Sequence, residues 1–385
     1  MGLAIGINGG GVGGLTAALA LRQAGHEVTV FEQSARYQRV GADINLTPNA
    51  VRALDGLGIG ERLRERAARP THRISRVWDT GEETSRLEMA DSAEKRYGAP
   101  QLTIHRADLI GALEAKLPAE AQRFGHRVTG INATGEGARL NLADGGTAVF
   151  DLVIGADGIR SSLRTALFGP EHPRCTGLVA YRAVVPRAGL DIPNLDAFTK
   201  WWGQTPQIQL VTFPLNRGEE IFLFATLPQE DWLHESWTMR GNVAELCAAY
   251  AGFHPQARTL LDAVTEVMKS ALYVREPMPS WSRGNVTLLG DACHPMVPFM
   301  AQGACMAIED AVVLARALEG AGRPSVAPAL RRYEEARKAR TARVQQGSLA
   351  NDWLKEGGNA DWVYGYDAWS APLGRVEEQG EHSRE

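Results

Sequence analysis

A glycine-rich turn near the start of the chain is the first place where residue types and spacing indicate chemistry. The turn consists of Gly9, Gly10, Gly11, Val12, Gly13 and Gly14. It follows the apolar residues 3–7 and precedes a predicted helix over residues 15–24, and Glu32 ends a second apolar run at 28–31. In such a βαβ unit, backbone N–H groups at the helix start bind a pyrophosphate and the acid binds a ribose hydroxyl. The pattern predicts a dinucleotide site of unspecified type, and a ligand-free glycine turn is the alternative.

Two further turns repeat the combination of a buried strand, glycine and one acid. Residues 152–158 carry Asp157, and residues 286–292 carry Asp291. An acid at the carboxyl end of a parallel strand lies where α/β sheets bind their ligands. A plain NAD dehydrogenase does not need two such additional turns. Three turns therefore favour a long cofactor that extends across the domain.

Composition excludes several classes of protein. The chain has 385 residues, 44% hydrophobic and 22% charged, with a formal net charge of −4, which fits an ordinary globular enzyme of two or three domains. It has no basic block, so we expect no nucleic-acid partner. The four cysteines show no C-x-x-C or metal-ligand spacing, so we predict reduced thiols, no metal site and a cytoplasmic location. An apolar strand begins near Met1 and no apolar run approaches a membrane span, so we expect neither a signal peptide nor a membrane partner.

The periodicities predict an α/β protein, α+β overall, in which a Rossmann-like nucleotide domain holds an inserted, mostly antiparallel β-sheet. Helices are predicted over residues 50–57, 106–117, 242–272 and 304–318 and onward to about 353. Strands are predicted over residues 74–78, 128–131, 138–142, 149–154, 178–185, 197–202, 208–213, 221–227 and 286–289. We predict a discontinuous nucleotide domain (1–70, 101–175, 273–330), a substrate domain (71–100, 176–272) and a C-terminal helical segment (331–385).

The three motifs together resemble the fingerprints of the single-component FAD-dependent aromatic hydroxylases, the para-hydroxybenzoate and salicylate hydroxylase superfamily. Their order and spacing match over nearly the whole chain, and Pro298 follows the third motif as it does in that family. The resemblance implies FAD as the bound cofactor, NADH or NADPH as cosubstrate and O2 as oxidant. It also implies that a flavin C4a-hydroperoxide transfers oxygen to an electron-rich ring, so no catalytic triad is expected.

The resemblance assigns cofactor roles to particular residues. Glu32, with Gln33 beside it, is expected at the adenosine ribose, and Arg106 beside the phosphates and the ribityl chain. Arg39 is similar to an arginine on the flavin side, Asp291 to the aspartate at the ribityl hydroxyls, and Asp157 to one that serves FAD and NAD(P)H together. A solvated surface cation is the alternative for each arginine.

The start of the last predicted helix supports a flavin site on physical grounds. Gly303 and Ala304 open this helix, so unpaired N–H groups and the positive end of the helix dipole lie there. A reduced flavin carries negative charge near N1 and C2=O. We therefore expect the helix start to stabilise the reduced cofactor, with Pro298 close to the flavin edge.

A small aromatic or pyridine substrate is expected between the flavin and the inserted sheet. The strand segment 200–202 forms the facing wall, and residues 207, 209 and 211 share one face if the strand is regular. That face could instead be exposed to solvent, and Phe222 could belong to the core. The residues predicted to contact substrate are Asn45, Gln207, Gln209, Val211, Phe222, Phe299 and Met300, with Asn45, Pro298 and Phe299 as catalytic positions.

Within the superfamily the chain is most similar to the 6-hydroxynicotinate 3-monooxygenases. The similar stretches are residues 200–202, 281–284, 290–295, 300–310 and 362–367. That family hydroxylates a hydroxypyridine acid with NADH and releases its carboxylate as carbon dioxide. It carries histidine where Asn45, Gln207 and Phe299 stand here, so a hydroxypyridine with another 3-substituent, such as a succinoyl chain, is an expected substrate, with Asn45 as a hydrogen-bonding group.

Several alternatives remain open from the sequence. Salicylate or 3-hydroxybenzoate hydroxylase is the second interpretation, followed by a non-hydroxylating FAD oxidoreductase and by a plain NAD-binding protein. The sequence does not distinguish NADH from NADPH, or decarboxylating from simple hydroxylation. A homodimer is the family-based expectation.

Overall fold

The computed structural model describes residues 2–37, 43–134, 137–232, 234 and 239–374. In chain order the strands are β1 (Ala4–Asn8), β2 (Glu27–Glu32), β3 (Ile44–Leu46), β4 (His72–Val77), β5 (Glu83–Glu88), β6 (Leu102–Ile104), β7 (Gln122–Phe124), β8 (Val128–Thr134), β9 (Gly137–Leu142), β10 (Thr147–Phe150), β11 (Leu152–Gly155), β12 (Arg174–Pro186), β13 (Phe198–Trp202), β14 (Gln209–Leu215), β15 (Glu220–Pro228), β16 (Met268–Val274), β17 (Ser282–Arg283) and β18 (Val286–Leu288). The α-helices are α1 (Val12–Gln23), α2 (Pro48–Gly56), α3 (Gly60–Arg64), α4 (Ala90–Tyr97), α5 (Arg106–Glu114), α6 (Ser162–Phe168), α7 (Val243–Ala249), α8 (Pro255–Asp262), α9 (Gly303–Leu318), α10 (Val326–Ala350) and α11 (Asp361–Tyr364).

A six-stranded sheet of order β17-β18-β11-β1-β2-β7 forms the nucleotide-binding half. Its strands pair in parallel except for the short β17. The central strands β1, β11 and β18 are buried along nearly their whole length, as expected of a parallel sheet that is covered on both faces. Helices α1 and α9 pack against each other beside it, and their buried residues belong to one continuous core. This arrangement confirms the α/β, Rossmann-like prediction.

The three glycine turns lie at one edge of this sheet and are joined by backbone hydrogen bonds. The Gly9 N–H donates to the Phe31 carbonyl at 2.9 Å, and the Ala156 N–H donates to the Asn8 carbonyl at 2.8 Å. The Leu289 N–H continues the series to the Gly155 carbonyl at 2.9 Å. The carboxyl ends of β2, β1, β11 and β18 are thereby held in sequence, which is where an open α/β sheet binds its ligand.

A seven-stranded sheet of order β16-β12-β15-β14-β13-β4-β5 forms the second half. Its pairs are antiparallel apart from β13 with β4. Helices α7 and α8 cover one face, where the Tyr250 hydroxyl donates to the carbonyls of Gln209 and Thr226. The opposite face packs against Val297 and Phe299 from the nucleotide-binding half. The two halves therefore meet along this second face.

The structure differs from the sequence prediction in several segments, of which three illustrate the reasons. Residues 268–272 were predicted helical but belong to β16, because their backbone pairs in antiparallel register with β12. Residues 149–154 are two strands, since Asp151 leaves the hairpin to bond through its backbone and side chain with Ala4. The polar stretch 71–100 forms β4, β5 and α4, of which only β4 was predicted.

The strands of the seven-stranded sheet can be compared with the predicted domain boundaries. Strands β4 and β5 share the seven-stranded sheet with strands from residues 176–272, and β16 extends to Val274, past the predicted boundary at 272. The domain boundaries stay a prediction. Among the described residues, none of the helices has both the length and the apolar composition that crossing a bilayer requires.

Gly14 packs so closely on the turn that a larger residue should destabilise the fold. A Cβ on Gly14 would overlap the carbonyl oxygen of Gly9, whereas a Cβ on Gly11 would lie 3.9 Å from its nearest neighbour, Arg106 Nη2. We predict that Gly14→Ala lowers the free energy of unfolding of the apoprotein by at least about 2 kcal/mol, because backbone must move. The matched control Gly11→Ala should cost less than about 1 kcal/mol. Urea unfolding measures both, and equal losses would contradict the close-packing argument.

Candidate active site

The first glycine turn leaves the start of α1 free to bind an anion. Gly11 is the N-cap of α1 and makes no side-chain cap, and the first helical turn has no acidic residue. The N–H groups of this turn and the dipole end are therefore available. The Arg106 guanidinium approaches the open side of Gly11, and Arg106 itself is half-buried at the start of α5. The two together form a cradle with the charge and the room that a pyrophosphate requires.

Glu32 is held in place at the end of β2. One carboxylate oxygen accepts the Gly10 N–H at 3.0 Å and the other accepts the Ser34 N–H at 2.9 Å. These bonds orient the carboxylate beside the glycine turn, where a ribose hydroxyl can add a further hydrogen bond. The neighbouring Gln33 is exposed. Arg39 lies outside the described residues.

Asp157 in the second turn has a different set of partners. Its carboxylate accepts hydrogen bonds from Asn8 Nδ2 at 2.9 Å, Ser161 Oγ at 2.5 Å and the Ser162 N–H at 2.7 Å. Asp157 therefore fixes the loop that leads into α6. Its bond to Asn8 also connects the end of β1 to the turn that follows β11. The role of Asp157 in binding FAD and NAD(P)H stays a prediction. Both of its carboxylate oxygens already accept hydrogen bonds from the protein.

Asp291 and the start of α9 border the same cleft. Asp291 follows β18 and its side chain is open to solvent along the cleft, although surrounding protein atoms raise the pKa of its carboxyl. Gln302 is the N-cap of α9 without a side-chain cap, and Gly303 and Ala304, which follow it, are half-buried. The helix start thus presents unpaired N–H groups to the cleft, as predicted from the sequence.

A buried ionic network fixes the third turn to the long helices. Arg337 of α10 forms ion pairs with Glu309 and Asp310 of α9, with an N···O distance of 2.7 Å in each case, and all three side chains are fully buried. Asp310 also accepts from His294 Nε2 at 2.5 Å and from the Gly290 N–H at 3.1 Å. The position of Gly290 and Asp291 at the cleft therefore depends on this network.

Burial and charge act in opposite directions on the carboxylates of the network. Burial alone raises the pKa of Asp310 and of Glu309, but His294 and Arg337 beside Asp310, and Arg340 and Arg337 beside Glu309, leave both pKa values below the ordinary range. Groups with a lowered folded-state pKa contribute stability above the ordinary carboxyl pKa of about 4 and lose it as the pH falls below that value.

Cys293, His294 and Asp310 also place potential ligand atoms within 4.8 Å of one another. Asp310 is already bonded to Arg337 and His294, and Cys293 Sγ donates to the Gly290 carbonyl. Hydrogen bonds and the Arg337 cation therefore account for the cluster, and the absence of a metal site stays a prediction.

The sheet face that packs on Val297 and Phe299 is named the pocket face here. Its central row runs across neighbouring strands through Arg182, Phe224, Val211 and Lys200, which are register partners in turn. Phe198, Phe213 and Phe222 pack beside this row, with ring centroids 5.2 Å and 4.9 Å apart for successive pairs. Phe224 and Val211 thus form an apolar floor with a cation at each end.

The structure places the predicted substrate residues differently. Gln209 and Val211 lie on the pocket face, and the half-buried Phe299 packs against it, so this is not a solvent face. Gln207 does not share that face: it is exposed, because β14 begins only at Gln209 after the Thr205–Ile208 turn. Phe222 is buried in the aromatic core of the sheet. Met300 is buried against Gly347 of α10 in the other core, and its predicted contact with substrate stays a prediction.

Asn45 pairs with a residue that the sequence analysis missed. Asn45 Oδ1 accepts a hydrogen bond from Gln101 Nε2 at 2.8 Å, and both side chains are buried. Asn45 Nδ2 and Gln101 Oε1 have no protein partner. Gln101 precedes β6, which pairs with β3, and only this tertiary pairing brings the two amides together. Nothing in the local sequence around Gln101 marks it.

Arg182 was missed as well. It lies 5.4 Å from the Phe224 ring centroid and donates to Ser270 Oγ at 2.7 Å. Burial raises the pKa of the nearby Asp43 to about 6, and Arg182 is the main group that opposes this shift. Arg182 lies in the middle of an otherwise apolar stretch of strand. This charged position was the sequence signal that could have identified it as a functional residue.

Comparisons with known proteins agree with this architecture. The family model for the FAD binding domain matches residues 3–348. A 6-hydroxynicotinate 3-monooxygenase of Bordetella bronchiseptica is 41% identical over 372 residues, covering 96% of each chain. A 3-hydroxybenzoate 6-hydroxylase of Klebsiella oxytoca is 38% identical over 88% of this chain and 85% of its own. Among solved structures, Klebsiella pneumoniae HpxO complexed with FAD and uric acid superposes with a TM-score of 0.82 and 27% identity, covering 94% of this chain and 90% of its own.

The ionic network gives a prediction for stability. Arg337→Met leaves Glu309 and Asp310 buried without their shared cation, and breaking such a buried pair costs about 3–5 kcal/mol. We expect that loss in the free energy of urea unfolding at pH 7 and a smaller loss at pH 3, where the carboxylates are closer to protonation. The control Arg343→Met removes an exposed cation 3.9 Å from the Trp362 ring centroid and should cost less than about 1 kcal/mol. Similar losses in both variants at pH 7 would show that the network does not stabilise the fold.

Proposed function

The chain belongs to the FAD-dependent aromatic-ring monooxygenases, which use NAD(P)H and O2, and we propose that it hydroxylates a hydroxypyridine carrying a substituent at carbon 3. Candidate substrates are of the 6-hydroxynicotinate or the 6-hydroxy-3-succinoylpyridine type. The similarity to a 6-hydroxynicotinate 3-monooxygenase over 96% of both chains supports this class. The proposal is carried by one observation, the amide pair of Asn45 and Gln101.

The residues of the cleft fit FAD. The uncapped start of α1 with Arg106 suits the pyrophosphate, the oriented Glu32 carboxylate suits a ribose, and Asp291 opens to the cleft beside the start of α9. When bound and reduced, FAD supplies the activation of O2 and the transfer of one oxygen atom to the ring. The chain supplies binding, orientation and the exclusion of water.

Phe299 and the pocket face would hold the ring between them. The floor formed by Val211 and Phe224 is apolar and nearly closed to solvent, with each side chain 8% exposed. An aromatic ring on this floor displaces the remaining water and is held flat against the sheet. Pro298, in the short turn Pro298–Met300, would border the ring on the side of the cleft.

The Asn45–Gln101 pair favours a pyridine over a phenol. The hydrogen bond between the two amides uses one acceptor and one donor, which leaves Asn45 Nδ2 as a donor and Gln101 Oε1 as an acceptor. Turning both amides over exchanges the two roles but again leaves one donor and one acceptor. A 6-hydroxypyridine in its lactam form presents the complementary N–H and C=O on adjacent atoms. A phenol offers a single O–H group and would leave one buried amide group unpaired, which costs about 1–3 kcal/mol.

Salicylate or 3-hydroxybenzoate is the second candidate substrate class. The 38% identity with a 3-hydroxybenzoate 6-hydroxylase favours it, and the apolar floor accepts a benzene ring equally well. For a substrate of the 6-hydroxynicotinate type, release of the ring carboxylate as carbon dioxide is a further part of the proposal, as are a homodimer and NADH or NADPH as cosubstrate. A cytoplasmic location is proposed because reduced nicotinamide cofactor is regenerated there.

A substrate panel tests the proposed function. The purified protein should bind FAD, and a 3-substituted 6-hydroxypyridine should stimulate NADH oxidation more than salicylate or 3-hydroxybenzoate. The product should contain one oxygen atom from 18O-labelled O2, with little peroxide released. Pyridine-3-carboxylate, which lacks the ring hydroxyl, is the control. Preferred turnover of a hydroxybenzoate would replace the pyridine proposal, and stoichiometric peroxide with every compound would leave a non-hydroxylating oxidoreductase.

The amide pair gives a mutational prediction. Asn45→Ala and Gln101→Leu each remove one of the two groups proposed to bind the lactam edge, so kcat/KM for the best hydroxypyridine should fall about 10- to 100-fold. The control Asn132→Ala alters an exposed asparagine of β8 and should change kcat/KM less than about twofold. FAD content is measured in each variant. Unchanged kcat/KM in both Asn45→Ala and Gln101→Leu would exclude substrate recognition by this pair.

A further inference from the structure

A buried lysine lies at one end of the pocket face. Lys200 is 4% exposed, and its Nζ donates to Asn351 Oδ1 at 2.6 Å and lies 3.6 Å from the centroid of the Trp202 ring. Its Nζ is also 5.9 Å from the Phe299 ring centroid. The lysine therefore lies between the residue proposed to cover the substrate ring and the segment that follows α10.

Hydrogen-bond donors around Lys200 lack acceptors. Trp202 Nε1 and both side-chain polar atoms of Gln209, the donor Nε2 and the acceptor Oε1, are buried and have no partner within the described part of the chain. Trp202 and Gln209 are register partners on adjacent strands, and Gln209 lies on the same face as Lys200, diagonal to it. Three donors thus lie together, and the side chain of Asn351 supplies the acceptor for one of them.

The positive charge at this end has no direct ion pair with a carboxylate among the described residues. No carboxylate of that part of the chain lies within 4.0 Å of Lys200 or of Arg73, a second buried cation on the same face, whose contacts are the Phe198 and Trp353 rings and the Tyr364 hydroxyl. Burial lowers the pKa of Lys200 well below its ordinary value, and Arg73 and Lys355 lower it further, while Asp352 opposes the shift. An anion beside Lys200 would stabilise the positive charge and would oppose the lowering of its pKa by burial and by the neighbouring cations.

The other end of the central row is different. Arg182 bonds to Ser270 and has Asp43 nearby as a compensating carboxylate. The floor of Phe224 and Val211 lies between the two cations, and Val211 is the register partner of Lys200. Neighbouring strands are about 4.8 Å apart, so a ring on Val211 brings a substituent to Lys200 within one strand spacing.

We propose that Lys200, Trp202 and Gln209 form a carboxylate-binding subsite for the substituent carried by the substrate ring. A carboxylate is acceptor-only and can take hydrogen bonds from all three donors, and Lys200 supplies the opposite charge. The ligand class is an aromatic acid whose carboxylate is attached to the ring or ends a short chain. The subsite rests on the proposed function only in that the ring occupies the floor under Phe299.

Binding of matched ligands to the FAD-loaded enzyme tests the subsite. The probes are 6-hydroxynicotinate with its carboxamide, and 6-hydroxy-3-succinoylpyridine with its carboxamide, titrated without NADH and followed by the change in flavin absorbance. The wild-type enzyme should bind at least one acid more tightly than its amide. Lys200→Met should weaken binding of that acid by about 30-fold or more and of the amide by less than about threefold, since removing one partner of a buried charged pair mainly affects the charged ligand.

Two further variants separate this role from a structural one. Lys355→Met removes an exposed cation 5.6 Å from the Trp202 ring centroid and should leave the preference for the acid unchanged. Trp202→Phe keeps the aromatic shape but removes the Nε1–H donor, and should weaken the acid about 3- to 10-fold without affecting the amide. If the Lys200→Met variant does not bind FAD, the comparison of acid and amide binding in Trp202→Phe alone tests the subsite.

Equal losses for acid and amide in Lys200→Met, or in Trp202→Phe where that variant decides, would show that the cluster only ties Asn351 to the sheet and would overturn the subsite. The subsite would also be overturned if the wild-type enzyme bound neither acid more tightly than the corresponding amide. Product analysis decides the proposed function separately: preference for an acid that depends on Lys200, without oxygen incorporation into any panel member, would retain the subsite and refute the hydroxylation.

Discussion

Everything in the cleft depends on how the parallel strands β2, β1, β11 and β18 end. Backbone groups beyond the last ladder pair need partners, and here each turn supplies them to the next, from Gly9 to Phe31 and from Leu289 to Gly155. This continuity forces the three glycine turns onto one line. Gly14 has to be small because it packs on the carbonyl of Gly9. An extended dinucleotide fits such a line, since each turn would contact a different part of it.

Much of this half was predictable because its signals are local. The glycine turn, Glu32 and the uncapped start of α9 follow from short motifs whose geometry is fixed by neighbouring residues. The helix predicted over residues 268–272 was wrong because so short a segment fits both helix and strand, and only pairing with β12 decides between them. The assignment of Gln207 was wrong because the start of β14 is set by a turn that a strict alternation ignores.

The substrate side was less predictable, because its polar groups come from segments far apart in sequence. Asn45 and Gln101 meet only through the pairing of β3 with β6, and Lys200 meets Asn351 only because the end of α10 returns to the sheet. Neither pairing has a sequence motif. Gln209 and Val211 were placed correctly on the pocket face, since alternation within a single strand is enough for that.

The buried cations Arg337 and Lys200 differ in whether carboxylates of the protein neutralise their charge. Arg337 has two carboxylates within hydrogen-bond distance, so its charge is used within the protein and holds Asp291 at the cleft. Lys200 is also buried, but its nearest partners are one amide oxygen and aromatic rings. A buried charge without an opposite charge raises the free energy of the folded protein. An acidic substrate would remove that cost on binding, and a neutral analogue would not. In the proposed function, the uncharged Asn45–Gln101 pair would recognise the hydrogen-bonding pattern of the ring instead of its charge, so this pair and Lys200 would select for different features of one molecule.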